Sequence, residues 1–294
     1  MHRRALLTAL ACTPAAALLP GCSVEQTVSD GPNAPSLQAL AFKPQLALVL
    51  ASGGPRGFAH VGVLKALHEI GFKPDLIVGA SVGALIGSAF AAGLPIERIE
   101  ALAFDFDFYS LARWSPGQGL KLDGQRIGEL LRKTLGFGQF DQLRTPMAVV
   151  GTDLGSGLPV VFNHGDLAVA VQASCAIPGY FPPVRIRGRE VVDADVASPM
   201  PVKAARDFGA SRVLAVDVAV HTDKPRPLGA ERYEAGDRIK RAQIDAEAKL
   251  ADLVLHPYFG YWVNLTRDYR VTTARAAYEQ TLQQAPAIRR LMAS

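Results

Sequence analysis

The chain has 294 residues, enough to bury one large core or one domain with appendages. Hydrophobic residues make up 49% and charged residues 20%, a balance that excludes a disordered chain. A formal net charge of +4, with no basic block interleaved with aromatics, excludes nucleic acid as the expected partner.

The chain opens on MHRRALLTALACTPAAALLPGCS, with a basic start, an apolar run from Ala5 to Leu19 and a small residue before Cys22. That pattern predicts an export signal over residues 1–22. Leu19-Pro20-Gly21-Cys22 resembles a bacterial lipobox, which implies acylation of Cys22 and a lipid anchor on a membrane surface. Ser23 then points to the outer membrane of a bacterial envelope, whereas cleavage after Ala17 would leave a periplasmic protein. Residues 23–43 are polar, carry Gly and Pro, and read as a flexible tether. Beyond the leader only Cys175 remains, so the sequence offers no disulfide framework and no metal-ligand cysteine pair. Cys175 itself reads as a small buried hydrophobe.

From residue 44 onward, short apolar runs alternate with helical stretches. QLALVLA (45–51) predicts a buried strand, and FAHVGVLKALHEIG (58–71) a helix that stops at Gly71. DLIVGA (75–80) predicts a second buried strand, and the small residues from Ser81 open a helix. The uncharged run from Leu76 to Leu94 also suits a membrane helix by length, but Val and Ile before Gly79 favour strand, tight turn and buried helix. The clustered aromatics of FDFDFYSLARW (104–114) read as the lining of an acyl-chain cleft, as a contact with the bilayer, or equally as ordinary core aromatics beneath a helix. An amphipathic helix follows from Asp123. Further strands are predicted at 147–154, 158–163 and 211–219, with a hairpin over 184–192 turning at Arg187-Gly188. A charged helix (about 230–250), a short strand in ADLVLHP and a last helix (about 266–293) complete the chain. The pattern predicts an α/β fold with a mainly parallel sheet between helices. Residues 44–220 form its main domain, and residues 221–294 form a C-terminal extension packing on the same sheet.

Gly79-Ala80-Ser81-Val82-Gly83 fits G-x-S-x-G, which holds a serine on a sharp strand-to-helix turn. As a nucleophile, Ser81 would sit at the positive end of a helix dipole; the bland reading makes it a helix N-cap. Upstream, ASGGPRG (51–57) lets the Gly53 and Gly54 N–H groups converge as oxyanion donors. Arg56 either fixes this loop or attracts a lipid phosphate. The full dinucleotide fingerprint is not met, because Ser52 stands at its first glycine, and no Walker lysine follows.

Two candidates compete for the serine proton. A Ser-acid-His order admits His221, and less well His256. Alternatively, EVVDADVASPMPV (190–202) puts Asp193 at the C-terminal end of a strand, where sites on open α/β sheets collect. Nothing resembles a calcium loop, and no cofactor is expected.

Taken together, these segments resemble the patatin-like phospholipase family across most of residues 45–220. The resemblance rests on Ser52 to Gly57, Gly79 to Gly83, GTDLGSG (151–157), QASCAIPGYFPPV (172–184) and Asp193-Ala194-Asp195. It implies a patatin-like three-layer fold and a Ser81–Asp193 dyad without histidine, with Gly53 and Gly54 as the oxyanion hole. It also implies phospholipid or another lipid ester as substrate. Three positions depart from the family pattern. Ser52 and Ala194 replace glycines, and Asp195 adds a carboxylate beside the base, where repulsion would raise the pKa of one of the pair. If position 194 needs a positive φ, alanine there costs about 1 kcal/mol. Two other readings stay open: a His-dependent α/β-hydrolase esterase, and an envelope lipid-binding scaffold with little or no turnover.

Overall fold

The computed structural model describes residues 26–115 and 119–293. Residues 1–25, and with them the leader and Cys22, lie outside the described residues. In chain order the elements begin with strand β1 (Val28–Ser29), β2 (Leu46–Leu50), helix α1 (Phe58–Ile70), β3 (Leu76–Ala80), α2 (Val82–Ala91) and α3 (Ile96–Phe104). A small hairpin, β4 (Ala112–Ser115) and β5 (Gly119–Leu122), leads into α4 (Gln125–Leu135). Then come β6 (Met147–Asp153), β7 (Pro159–Phe162), α5 (Leu167–Ser174), β8 (Val184–Ile186) and β9 (Arg189–Val192). The chain closes with α6 (Val202–Asp207), β10 (Arg212–Val216), α7 (Glu234–Ala248), β11 (Leu253–Leu255), α8 (Arg267–Gln283) and α9 (Ala285–Ala293).

Among the described residues the main sheet has nine strands in the order β1-β8-β9-β6-β3-β2-β10-β11, with β7 also paired to β6. The run from β6 to β11 is parallel, while β7, β8 and β9 pair antiparallel at the other side. Burial on both faces explains why β2 reads as an unbroken apolar run. Leu46, Leu48 and Leu50 point into the larger core with α1, α2, α5 and α8, and Ala47 and Val49 into the smaller core with α6 and α7. The smaller core is rich in alanine, which lets α6 and α7 lie close to the sheet. The expected α/β class with a mainly parallel sheet is therefore the observed one.

Several local expectations hold for physical reasons. Helix α1 ends where Gly71 adopts a left-handed φ of 85° and closes the last turn. The hairpin turns at Arg187 (φ 48°) and Gly188 (φ 77°), both positive as the tight two-residue turn requires. The apolar run from Leu76 to Leu94 divides into β3 and α2, and no described helix is long and apolar enough to cross a membrane.

Residues 26–43 differ from the tether expected there. Val28 and Ser29 add a parallel strand beside β8, Ser36 bridges to His164, and Ala34 is buried. Arg187 donates to the Ala34 carbonyl at 3.0 Å and the Pro35 carbonyl at 3.2 Å. Backbone pairing with the hairpin, rather than apolar content, holds this segment down. The last helix also divides, because the chain breaks helical register around Gln284 ahead of Pro286, which has no N–H to donate.

Candidate active site

Ser81 joins β3 to α2 at φ 52° and ψ −123°, a strained conformation for a residue with a side chain. Packing holds the strain. A Cβ on Gly83 would lie 2.3 Å from the Leu50 carbonyl oxygen, and one on Gly79 would lie 2.5 Å from Ala84 Cα. The two glycines of the motif thus let α2 start against the ends of β2 and β3. Ser174 fixes the turn from below, accepting the Ser81 N–H at 2.8 Å and donating to the Val150 carbonyl at 2.6 Å. The Ser81 side chain makes no capping bond to its helix, which removes the N-cap reading.

Its hydroxyl donates instead to Asp193 Oδ2 at 2.7 Å. Asp193 follows β9 and is 1% exposed. Its N–H donates to the Ala176 carbonyl at 3.0 Å, and its own carbonyl accepts from Thr152 Oγ1 at 2.8 Å. The second carboxylate oxygen accepts the Asp195 N–H at 2.8 Å. Burial pushes the Asp193 carboxyl up to about 7, against the hydrogen bonds from Asp195 and Ser81 that favour its charged form. Ala194 lies in a one-turn 3-10 helix (Ala194–Val196) and has no positive φ. The substitution for glycine there carries no backbone strain.

Gly53 and Gly54 open another short 3-10 helix (Gly54–Gly57), whose leading N–H groups have no acceptor within the helix. Gly54 takes φ 53°, which a side chain would resist. Both glycines line a cavity of about 360 Å³ with Ser81, Asp193, Asp195 and Lys240, while Ile177, Pro178 and Val196 give it an apolar wall. The lining thus combines polar and apolar side chains.

Arg56 does not reach this cavity, which corrects its reading as a phosphate contact. It is 7% exposed, and its guanidinium donates to the carbonyls of Val218 (2.9 Å), Tyr261 (2.7 Å) and Gly260 (2.9 Å). It fixes the loop, pinning the C-terminal extension to it. His221 also lies apart from the serine. Its ring stacks on His256 at 3.6 Å, with its nitrogens toward Asp223 and the Pro257 carbonyl. His60 is fully buried on α1 against the Ala51 carbonyl, and burial pushes its pKa down to about 4. Cys175 is buried as expected; burial and then the nearby Asp193 charge push its thiol pKa up, so it stays protonated. Phe106 and Phe108 are half-buried and pack edge to face with each other, and Phe108 with Phe58. Phe104 and Leu111 pack against the larger core, Tyr109 is exposed, and none of the run's described side chains lines the cavity. No group of three or more metal-ligating side chains occurs among the described residues.

Sequence reasoning missed three supporting residues. Ser174 and Thr152 lie inside segments that carried the family resemblance, but neither stood out there as a residue with a role. Lys240 read as one more cation on a charged helix. A serine hydroxyl bonded to a buried carboxylate, in a cavity that Gly53 and Gly54 also line, is an arrangement that can support acyl transfer through a covalent intermediate.

A family model described as "Patatin-like phospholipase" matches residues 48–206. An NTE family protein of Mycobacterium tuberculosis, itself uncharacterized, is 34% identical over 178 residues, covering 60% of this chain and 49% of that protein. The human "Patatin-like phospholipase domain-containing protein 6" is 32% identical over 181 residues, 59% of this chain and 13% of that protein. The chain thus spans about half the length of the mycobacterial relative and much less of the human one. Among solved structures, VipD from Legionella pneumophila shares the fold, with a TM-score of 0.58 at 15% identity over 90% of this chain and 71% of that one.

Proposed function

The chain belongs to the patatin-like phospholipase family, and from that premise we propose that it is a serine lipid acyl hydrolase with Ser81 as nucleophile and Asp193 as base. The observation that carries the proposal is the 2.7 Å bond from the Ser81 hydroxyl to the buried Asp193 carboxylate. Asp193 takes the hydroxyl proton as Ser81 Oγ attacks the ester carbonyl. The Gly53 and Gly54 N–H groups hold the resulting oxyanion, whose collapse expels the alcohol with the proton that Asp193 returns. Asp193 then takes a proton from water, which attacks the acyl-Ser81 ester, and the fatty acid leaves with Ser81 restored. A carboxylate is ordinarily too weak a base near neutral pH, and burial is what brings Asp193 into range. The apolar wall of Ile177, Pro178 and Val196 supports an acyl chain as the occupant, and the family supports phospholipid or another lipid ester as substrate.

The test is hydrolysis of a short-chain p-nitrophenyl ester and of phospholipid vesicles by the wild type and Ser81→Ala. We expect turnover by the wild type and a loss of about 10³-fold or more in the variant. A folded wild type silent on both substrates would instead favour the lipid-binding scaffold.

The proposal extends to location. The leader ending in Cys22 supports export and a lipid anchor in the bacterial envelope, by the lipobox-like order of its last four residues. Metabolic labelling with a radioactive fatty acid is expected to mark the wild type and not Cys22→Ala. Equal labelling of both would remove the anchor.

A further inference from the structure

Two of the three departures from the family pattern face each other. The Ser52 hydroxyl, fully buried where the glycine-rich loop leaves β2, donates to Asp195 Oδ1. The same oxygen accepts from Lys240 Nζ, which reaches in from α7. Each group answers for another. Without Asp195 the Ser52 hydroxyl would lose its partner in the interior, and without Lys240 the Asp195 carboxylate would stand unbalanced two residues from Asp193. Because the Asp195 N–H also donates to Asp193, this one residue touches the oxyanion loop, the base and α7.

Helix α7 is held in place to do this. Arg241 pairs with buried Asp217 at 2.6 Å beyond β10, Ile244 is fully buried in the smaller core, and Gln243 donates to the Val196 carbonyl at 3.1 Å. These anchors lie in the turn that follows Lys240, which lines the cavity. Lys240 lies beyond residues 48–206 that match the family model, so the C-terminal extension contributes a wall of the site.

We propose that Ser52, Asp195 and Lys240 form one positioning unit, through which α7 holds the oxyanion loop against the base turn and balances the charge beside Asp193. The inference rests on Asp193 being the base. The groups around that carboxylate are Ser81 at the start of α2, Thr152 on β6, Cys175 after α5, Asp195 on its own turn and Lys240 from α7. Only Asp195 and Lys240 among them carry charge, of opposite sign. Removing Lys240 disfavours ionised Asp193, removing the Asp195 charge favours it, and removing both nearly cancels.

The experiment is the pH profile of kcat/KM on the short-chain ester, or of the rate at which a fluorophosphonate modifies Ser81, for variants shown to be folded. Lys240→Met is expected to move the acid limb up by as much as about 1 pH unit, and Asp195→Asn to move it down by a similar amount. The double variant should return near the wild-type limb, and Lys240→Arg should keep it. Ser52→Gly changes no charge, so its limb should stay while its rate falls about tenfold at every pH, through looser placement of Gly53 and Gly54. A merely structural contact would lower the melting temperature and leave the limbs alone, and that result overturns the proposal. So do shifts of the same sign in Lys240→Met and Asp195→Asn. If Asp193→Asn keeps full activity, the dyad itself fails; if that variant is dead while Lys240→Met keeps the wild-type limb, only the positioning unit fails.

Discussion

Asp193→Asn is expected to lower kcat/KM on a short-chain ester by roughly 10²–10⁴-fold, with little change in KM. Asparagine fills the same space and still meets the Ser81 hydroxyl, but it cannot take the proton. In the wild type the same carboxyl dictates the pH response. With its pKa near 7, activity should fall about tenfold per unit as pH drops below that point, because the protonated acid is no base. The stability effect has the opposite sense. A carboxyl whose folded pKa is raised contributes most below its unfolded value, and that contribution is lost as pH rises through about 7. Thermal melts at pH 5 and pH 8 should therefore show a decline in the wild type that Asp193→Asn lacks. Equal declines in both proteins would mean that Asp193 is already ionised at pH 5.

Gly83→Ala is expected to remove activity as fully as Ser81→Ala and, unlike it, to damage the fold. Its Cβ would meet the carbonyl oxygens of Leu50 at 2.3 Å and Ala51 at 2.7 Å, both backbone atoms at the end of β2. Neither atom swings aside like a flexible side chain, so α2 must move off the sheet and take the Ser81 turn with it. Overpacking of this kind costs about 3 kcal/mol, which for a domain of this size lowers the melting temperature by roughly 6–12 °C. Gly31→Ala is the matching control, since no atom lies within 4 Å of the added methyl and its φ is not positive. A Gly83→Ala protein with wild-type melting and turnover would contradict the close approach of α2 to β2.

Legibility in the sequence followed the range of the interactions. Strands β2, β3 and β6 were readable because burial on both faces leaves a continuous apolar run, and α1 because Gly71 ends it locally. The Ser81 turn was readable because its two glycines stand in a local motif, although one close approach is to Ala84 in the first turn of α2 and the other to Leu50 on the adjacent strand. Contacts between distant segments were not. Nothing near Arg56 announces that the carbonyls of Gly260 and Tyr261 will meet its guanidinium, so the sequence left a loop clamp and a phosphate contact as equal readings. Residues 26–43 looked loose because their order comes from pairing with β8 and from Arg187, not from apolar content of their own. Lys240 looked like solvated helix surface for the same reason. Its place in the cavity depends on Arg241 meeting Asp217 and Ile244 entering the core, neither of which is encoded beside it. Ser52 and Asp195 each looked like a defect when taken alone, and became a pair only across the fold.

The most direct test of the Ser81–Asp193 dyad is mass-spectrometric mapping of a fluorophosphonate adduct on the folded full chain. The dyad predicts one adduct, on the Ser81 hydroxyl, formed rapidly at pH 8, slowly at pH 5, and about 10²-fold or more slowly in Asp193→Asn. An adduct on another residue, or a Ser81 labelling rate indifferent to Asp193, would contradict it.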